Sequence, residues 1–252
     1  MPARPDYFWI DPTADIWRGC QFAGLGCMPG TKQYRDSSLY ARDGLLTGYT
    51  GAGNAPASRW SIDTKLRRSV LGFNGSGDYV IPPTMPVVPP LTLACWVLPP
   101  ISSINSCMFA YGSLYTFSLR NGQIYFRTNT ATNVAYTWNP TWTHFAVTWD
   151  MSHNVLFWIN GVSRTPTTNP TNTDETTGIN EIGVRSGVDY LLGSLADALV
   201  FRAVCSSEQI ALLANPVRSI DYDGAFCWLR GRSQVSFAPS SISRRRRLLC
   251  GV

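Results

Sequence analysis

The most regular pattern of hydrophobic and polar positions lies between Thr141 and Val162. Side chains of a β-strand alternate between two faces, and on that period residues 142–149 carry large or apolar side chains on both faces. Residues 155–160 repeat the arrangement, and the polar stretch 150–154 between them predicts a turn. Asn160-Gly161 predicts a second tight turn. Because neither strand has a wholly polar face, both faces are expected to be covered, as in the middle of a two-layer β structure.

Further short runs of strand-forming residues lie on both sides of this hairpin. Val70–Phe73 and Asp78–Ile81 flank Asn-Gly-Ser-Gly and are predicted to pair as a hairpin. Ser206–Ala214 predicts the single helix, with a serine cap, acidic and amide residues in the first turn, and Pro216 beyond its end. The other predicted strands are 45–48, 91–98, 107–111, 114–119, 123–128, 134–138, 178–184 and 191–204.

Three segments follow from this pattern. Residues 1–68 are irregular, with aromatic residues spread among Gly, Asp and Pro, and are interpreted as an arm or lead-in that packs on the body or on a neighbour. Residues 69–216 hold most of the predicted strands and the helix and form the body. Residues 217–252 form a tail with an arginine run at 244–247.

The charged residues suggest extensive contacts. Only 15% of the chain is charged, and of the 21 basic residues only Lys32 and Lys65 are lysines. Arginine's planar guanidinium favours fixed pairing with carboxylate or phosphate, whereas a surface built only for solubility is expected to use more lysine.

The seven cysteines predict mostly free, buried thiols in a protein made in a reducing compartment. Their number is odd, Cys95 and Cys205 have apolar neighbours, and no Cys-x-x-Cys spacing occurs. Pairing of Cys20 with Cys27 is left open. Neither a signal-peptide run at the N-terminus nor an apolar run of 18 residues is found, so secretion by that route and membrane spanning are not expected.

The order of these motifs resembles the concanavalin-A-like jelly roll of the laminin-G-like family over roughly residues 69–215. The resemblance implies an all-β, concanavalin-A-like (laminin-G-like) β-sandwich jelly roll with one short C-terminal helix and irregular terminal arms. Family members often carry two acidic residues after the Gly-x-Ile step, and Ala196 replaces the first of them here. The matching pieces are Leu71–Val80, Leu91–Val97, Trp142–Thr148, Trp158–Val162, Glu181–Gly183, Leu192–Ala198 and the helix at 206–213.

The segments before and after the jelly roll, residues 1–68 and 217–252, carry a second resemblance. An aromatic lead-in, one jelly roll and a brief arginine-rich tail are similar to proteins encoded among the structural genes of tailed bacteriophages. This resemblance implies a non-enzymatic virion protein, a capsid decoration or fibre-type accessory protein located in the virion and made in the host cytoplasm. The implied partners are other virion proteins such as a major capsid protein, and a homo-oligomer is expected. The alternative is a carbohydrate-binding, lectin-like adhesion module that contacts a host surface glycan.

The sequence shows no recognisable set of catalytic residues, so an enzyme is not expected. Retaining glycosidases need two carboxylates about 5 Å apart, and glycosidases of this fold carry them in a Glu-x-Asp-x-x-Glu strand, which is absent. The only histidines are His144, interpreted as a structural residue of the central strand, and His153, interpreted as an exposed turn residue.

Three candidate sites remain as hypotheses. Trp138 and Trp142 flank Asn-Pro-Thr and are candidates for stacking on a sugar ring, against the alternative that both are core or interface aromatics. Cysteine and histidine supply no metal ligands in suitable spacing, so no cofactor is expected, although a calcium site near Asp174 or Asp189 is left open.

The arginine run is the third candidate. Arg244, Arg245, Arg246 and Arg247 are interpreted as a subunit-docking segment, since Leu248 and Leu249 follow them. Four terminal arginines make few counterion-releasing contacts, so binding to nucleic acid is not expected.

Overall fold

Two β-sheets face each other across one large apolar core. The computed structural model describes residues 8–10, 17–25, 32–49, 59–66, 68–99, 105–111, 115–127, 130–166, 178–216 and 226–228. Within these residues the chain forms a β-sandwich with one short helix, which confirms the predicted all-β, concanavalin-A-like fold class.

The first sheet is built around the central hairpin that the sequence predicts. Its spatial order is β16 (Val162–Arg164), β15 (Val155–Ile159), β14 (Thr143–Trp149), β9 (Leu91–Leu98), β19 (Leu192–Phe201), β6 (Arg68–Asn74) and β5 (Trp60–Asp63), and β2 (Cys20–Gly24) pairs with β19. The turn between β15 and β16 has Asn160 at φ 50° and Gly161 at φ 79°, as the Asn-Gly signal predicts.

The second sheet is an antiparallel meander that continues into strands from both ends of the chain. Its spatial order is β13 (Ala131–Ala135), β12 (Gln123–Arg127), β11 (Tyr115–Arg120), β10 (Ser106–Tyr111), β18 (Glu181–Ile182), β7 (Tyr79–Ile81), β4 (Gly44–Thr47) and β3 (Gln33–Tyr34).

Short elements complete the described part of the chain. Helix α1 spans Ser207–Leu213, and its cap residue Ser206 exchanges hydrogen bonds with Gln209, as the sequence pattern predicts. Two pairs of short strands lie apart from the main sheets, namely β1 (Phe8–Ile10) with β20 (Phe226–Trp228) and β8 (Met85–Pro86) with β17 (Gly178–Ile179).

The central strands of the first sheet are buried on both faces. In β14, Phe145, Val147 and Trp149 enter the core between the sheets, whereas Ala146 faces the opposite way. The opposite side is an apolar layer that Trp158, Phe201 and other residues of the sheet form with Ile210 and Leu213 of α1. The predicted burial of both faces is therefore correct, and α1 supplies part of the second cover.

Residues 17–66 contribute to the sandwich itself. They provide β2 and β5 to the first sheet and β3 and β4 to the second. Phe22, Tyr34 and Trp60 are buried in the main core, and Trp17 stacks on Phe201 in the outer layer. These four aromatic residues therefore bury against this chain's own body, whereas Tyr40 is exposed.

One predicted hairpin is wrong. Val70–Phe73 and Asp78–Ile81 were expected to pair, but β6 belongs to the first sheet and β7 to the second. The Asn-Gly-Ser-Gly link crosses between the sheets, and Asn74 Oδ1 accepts hydrogen bonds from the amides of Ser76, Gly77 and Asp78. A turn sequence fixes a local reversal, whereas the pairing of the strands depends on the core that each of them completes.

The described cysteines are free and buried, as the sequence predicts. They are Cys20, Cys95, Cys107 and Cys205. Because Cys20 is a free thiol whose Sγ donates to the carbonyl of Phe22, the pairing with Cys27 is absent.

We expect Trp158→Ala to lower the free energy of unfolding by about 3 to 5 kcal/mol, because it opens a cavity beneath α1. The Trp158 indole is buried, and its Nε1 donates to Thr148 Oγ1 at 3.3 Å. Urea unfolding measures the change, with Ile62→Ala, at a side chain 75% exposed, as the control. An unchanged unfolding midpoint for Trp158→Ala would show that the outer layer contributes no stability.

Candidate functional site

The outward face of the meander in the second sheet is a polar and aromatic surface. Along β12, Ile124 and Phe126 enter the core, so Gln123, Tyr125 and Arg127 project to the outside. All three are half-buried. We call this surface, with the outward residues of β10, β11, β13 and β18, the polar sheet face.

Tyr125 lies in the middle of this face with polar groups around its ring. Its hydroxyl donates to Gln123 Oε1 at 2.5 Å, and the guanidinium carbon of Arg120 lies 5.9 Å from the ring centroid. Asn133 and Ser118 are its partners on the two neighbouring strands. The face thus combines one partly exposed aromatic ring with amide, guanidinium and hydroxyl groups.

Ser118 is buried although it projects to the outer face. Its side chain is 2% exposed, and no hydrogen-bond partner of its Oγ is found among the described residues. Buried hydroxyl groups are normally hydrogen-bonded, so this atom is an exception beneath the surface beside Tyr125.

A short loop closes one side of the polar sheet face. Arg185 forms an ion pair with Asp189, and Glu181 Oε2 accepts a hydrogen bond from the amide of Ser186 at 2.9 Å. The carbonyl of Asp189 accepts from the amide of Cys107 at 3.2 Å, which attaches the loop to β10. Both carboxylates are therefore held by donors of the loop.

Cys107 lies beneath this loop. Burial raises the pKa of its thiol well above the ordinary value, and the charges of Arg185, Asp189 and Glu181 modify that shift. A thiol with a raised pKa carries little thiolate at neutral pH, so it is a poor nucleophile and metal ligand.

Trp138 and Trp142 belong to different clusters. Trp138 follows β13, which ends at Ala135, and packs edge-on against Tyr136 at 5.9 Å beside the main core. Trp142 packs against a small outer cluster that contains Trp96. Both rings are half-buried, and sugar stacking by them stays a prediction.

The indole of Trp142 is fixed by Asp63. Its Nε1 donates to Asp63 Oδ2 at 2.7 Å. Burial acts to raise the pKa of Asp63, but hydrogen bonds from the Leu66 amide, from Trp142 and from the Lys65 amide outweigh it and hold the pKa below its ordinary value. The polar edge of this indole is thus already engaged within the chain.

Both histidines lie among structural contacts. His144 is buried edge-on against Trp96 at 5.4 Å, and its amide and carbonyl bond to Asn160. His153 is half-buried beside Trp149 in the turn rather than fully exposed, at φ 62°.

The remaining candidate sites from the sequence are the calcium site and the arginine run, and most of their residues are not described by the structure. Asp174 and Arg244–Arg247 lie outside the described residues. In the part of the chain that the structure describes, no group of three or more His, Cys, Asp or Glu side chains is arranged to hold a metal ion. Asp189, the other calcium candidate, is paired with Arg185.

No helix among the described residues is both long and apolar enough to cross a membrane.

Sequence reasoning missed the polar sheet face, although a signal was present. Residues 123–127 alternate polar and apolar side chains, which predicts a strand with one face in the core and one in solvent. The neighbours Ser118 and Asn133 come from separate strands, and only the register places them beside Tyr125.

Comparison with known proteins identifies the fold. The profile of a family described as the concanavalin A-like lectin/glucanases superfamily matches residues 74–211. No curated protein sequence matches the chain.

Solved structures with the same fold include toxin binding domains. They include the receptor binding domain of botulinum neurotoxin mosaic serotype C/D (TM-score 0.58, 13% identity, 80% of this chain and 51% of that one). The binding domain of Paraclostridial Mosquitocidal Protein 1 gives a TM-score of 0.57 at 12% identity over 79% and 52%. The binding domain of botulinum neurotoxin DC in complex with SialylT gives 0.56 at 12% identity, also over 79% and 52%. The chain thus spans about half the length of the solved chains it matches.

We expect Cys107 to resist alkylation by iodoacetamide at neutral pH in the native protein and to react quickly in concentrated urea. Burial raises the pKa of its thiol and excludes the reagent. Peptide mass spectrometry after timed labelling measures the rate at this residue. Native labelling as fast as in urea would mean that the loop over β10 opens readily.

Proposed function

The chain belongs to the concanavalin A-like lectin/glucanases superfamily, and on that premise we propose that it is a non-enzymatic module that binds carbohydrate through the polar sheet face. The observation that carries the proposal is the arrangement around Tyr125, a partly exposed ring bordered by Gln123, Ser118 and Arg120.

This arrangement matches the chemistry of a sugar. A pyranose presents C–H groups on its faces and hydroxyl groups around its rim. An aromatic side chain provides an apolar surface of matching size, and amide, guanidinium and hydroxyl groups donate to and accept from the hydroxyls.

Among the described residues, the centre of the outer face of the first sheet is covered by apolar packing. Trp158 and Phe201 on that side lie beneath α1 and residues 17–25. The polar sheet face instead carries half-buried polar side chains at Gln123, Arg127 and Asn133.

Similar structures support binding as a use of this fold. One solved relative is a toxin binding domain in complex with SialylT, and another carries tetraethylene glycol on its Hcn sub-domain. At 12 to 13% identity these ligands belong to those proteins and show nothing about the site used here.

The proposal excludes hydrolysis because the carboxylates of this face are already engaged. Asp189 pairs with Arg185, and Glu181 accepts from the Ser186 amide. Hydrolysis of a glycoside needs one carboxylic acid that protonates the leaving group and a second carboxylate that attacks or activates water.

We expect Tyr125→Ala to weaken binding on an array of neutral and sialylated oligosaccharides at least tenfold, which is about 1.4 kcal/mol. The substitution removes the ring but leaves the core residues Ile124 and Phe126 in place, so folding should be retained.

Tyr125→Phe is the matched control. It keeps the ring and removes only the hydroxyl that donates to Gln123, so most of the affinity should remain. Equal binding by wild type and Tyr125→Ala would reject the polar sheet face as the site. A loss on replacing Trp138 or Trp142 instead would place the sugar at those indoles.

A second candidate is the virion role that the chain's flanks suggest, namely an accessory protein that decorates a bacteriophage capsid or forms part of a fibre. Its support is the arginine run at 244–247 followed by Leu248 and Leu249, a basic and apolar segment suited to docking on an acidic neighbour such as a major capsid protein. The aromatic residues Trp17, Phe22, Tyr34 and Trp60 lend less support, since they bury within this chain.

We expect replacement of Arg244, Arg245, Arg246 and Arg247 by Ser to leave the unfolding midpoint unchanged and to reduce the amount of protein that copurifies with virus particles. The substitutions change none of the core residues that the structure describes. Quantitative immunoblotting of purified particles measures incorporation, and unaltered incorporation would argue against docking through the tail.

A further inference from the structure

The dipeptide Asn-Gly occurs three times in the chain, each time where one strand of the sandwich ends and the next begins. The copies are Asn74-Gly75, Asn121-Gly122 and Asn160-Gly161. Asparagine is most prone to spontaneous deamidation when glycine follows it, because glycine has no Cβ to hinder attack by its own amide nitrogen. The reaction is intramolecular, so the geometry that the fold imposes on each copy decides how fast it proceeds.

The reaction needs only water and the two residues. The amide nitrogen of the glycine gives up its proton and forms a bond with Cγ of the asparagine, and the side-chain nitrogen leaves with a proton as ammonia. Water then opens the resulting five-membered imide at one of its two carbonyl carbons. Opening at one carbonyl gives aspartate, and opening at the other gives isoaspartate, in which the main chain runs through the former side chain.

Both reacting groups of the first copy are held by hydrogen bonds. The Gly75 amide, which would be the nucleophile, donates to the carbonyl of Leu191 at 3.0 Å. Asn74 Oδ1 accepts at 2.9 to 3.2 Å from three amides, those of Ser76, Gly77 and Asp78. Attack requires these hydrogen bonds to break, and each contributes to the stability of the link. The fold therefore protects Asn74.

The third copy is exposed, but its side chain is fixed to the neighbouring strand. Asn160 Oδ1 accepts from the His144 amide at 2.9 Å, and the Asn160 amide donates to the His144 carbonyl at 2.8 Å. The turn also packs on the helix, because a Cβ built on Gly161 would lie 3.4 Å from atoms of Ala211 and Ala214. These contacts resist the rotation that brings Cγ to the glycine nitrogen, so Asn160 is protected as well.

The second copy has none of these restraints. Asn121 is exposed in the two-residue turn between β11 and β12, at φ 47°, and Gly122 follows at φ 71°. Within the part of the chain that the structure describes, neither the Asn121 side chain nor the Gly122 amide has a hydrogen-bond partner. A Cβ built on Gly122 would meet nothing closer than 3.6 Å, so there is open space beside the nucleophile.

This turn lies at one end of the polar sheet face. Arg120 precedes Asn121 and pairs with Gln123 across the hairpin, and its guanidinium carbon lies 5.9 Å from the ring centroid of Tyr125. Either product adds a negative charge one residue from this arginine. Isoaspartate also adds a main-chain carbon to a turn of two residues, and the turn of a hairpin fixes the register of its strands.

We propose that Asn121 is a self-modification site, at which the Gly122 amide converts the asparagine to aspartate and isoaspartate while the fold protects Asn74 and Asn160. The conversion goes one way and depends on time, so aged protein differs from new protein at this end of the polar sheet face. It requires no ligand and is therefore independent of carbohydrate binding.

Timed incubation of the whole native chain in mildly alkaline buffer tests the proposal, with peptide mass spectrometry that distinguishes asparagine, aspartate and isoaspartate. We expect both products to accumulate at Asn121 at least about tenfold faster than at Asn74 or Asn160. Equal native rates, a faster reaction at either protected copy, or no reaction at Asn121 would overturn the proposal. Aspartate without isoaspartate would mean direct hydrolysis of the side chain and would overturn it too.

The unfolded chain is the control for the role of structure. In concentrated guanidinium chloride the hydrogen bonds that hold Asn74 and Asn160 are lost, so all three copies should react at similar rates. If Asn121 still reacts much faster than the other two copies, the flanking sequence sets the rates, and protection by the fold is rejected.

Gly122→Ala tests the nucleophile. The added methyl group has room but hinders attack by the amide nitrogen, so we expect the rate at Asn121 to fall several-fold. Alanine is strained at φ 71°, and the rates at Asn74 and Asn160 report whether the variant stays folded, since unfolding would raise both. An unchanged rate at Asn121 would reject the Gly122 amide as the nucleophile and with it the proposal.

Discussion

Burial of the first sheet on both faces is the constraint on which the rest of the structure depends. Strands β9, β14 and β19 place Leu93, Val147 and Val200 in the core between the sheets, and Ala94, Ala146 and Leu199 on the opposite side. An apolar face in water is costly in proportion to its area, so this sheet needs two covers. The second sheet covers one face of the first sheet, and α1 together with residues 17–25 covers the other.

The second sheet has no such requirement, and its outer face is therefore available for function. Its inner residues, among them Phe117 and Phe126, fill the core, while Gln123, Tyr125 and Arg127 meet solvent. An antiparallel sheet tolerates one solvated face. The asymmetry between the sheets thus leaves the proposed binding surface on β-strands, where the position of a ring is fixed by register.

The described residues of 17–49 connect the two sheets. They provide β2 to one sheet and β3 and β4 to the other, and the Asp36 carboxylate accepts hydrogen bonds from the Ala23 amide of β2 and from the Arg42 amide just before β4. The same contacts that close the sandwich therefore hold Leu39 and Tyr40 outward.

The sequence by itself determined the elements with strong local signals of alternation, turn residues and caps: the β14–β15 hairpin, the Asn160-Gly161 turn after it and the capped helix α1 all lie where it places them. It did not predict β2, β3 and β5. Only the tertiary structure decided which strands are neighbours. It separates β6 from β7, brings Ser118 and Asn133 beside Tyr125, and draws residues 17–66 into both sheets. The physical reason is that pairing partners far apart in the chain are chosen by the shared burial of a core, which no local pattern encodes.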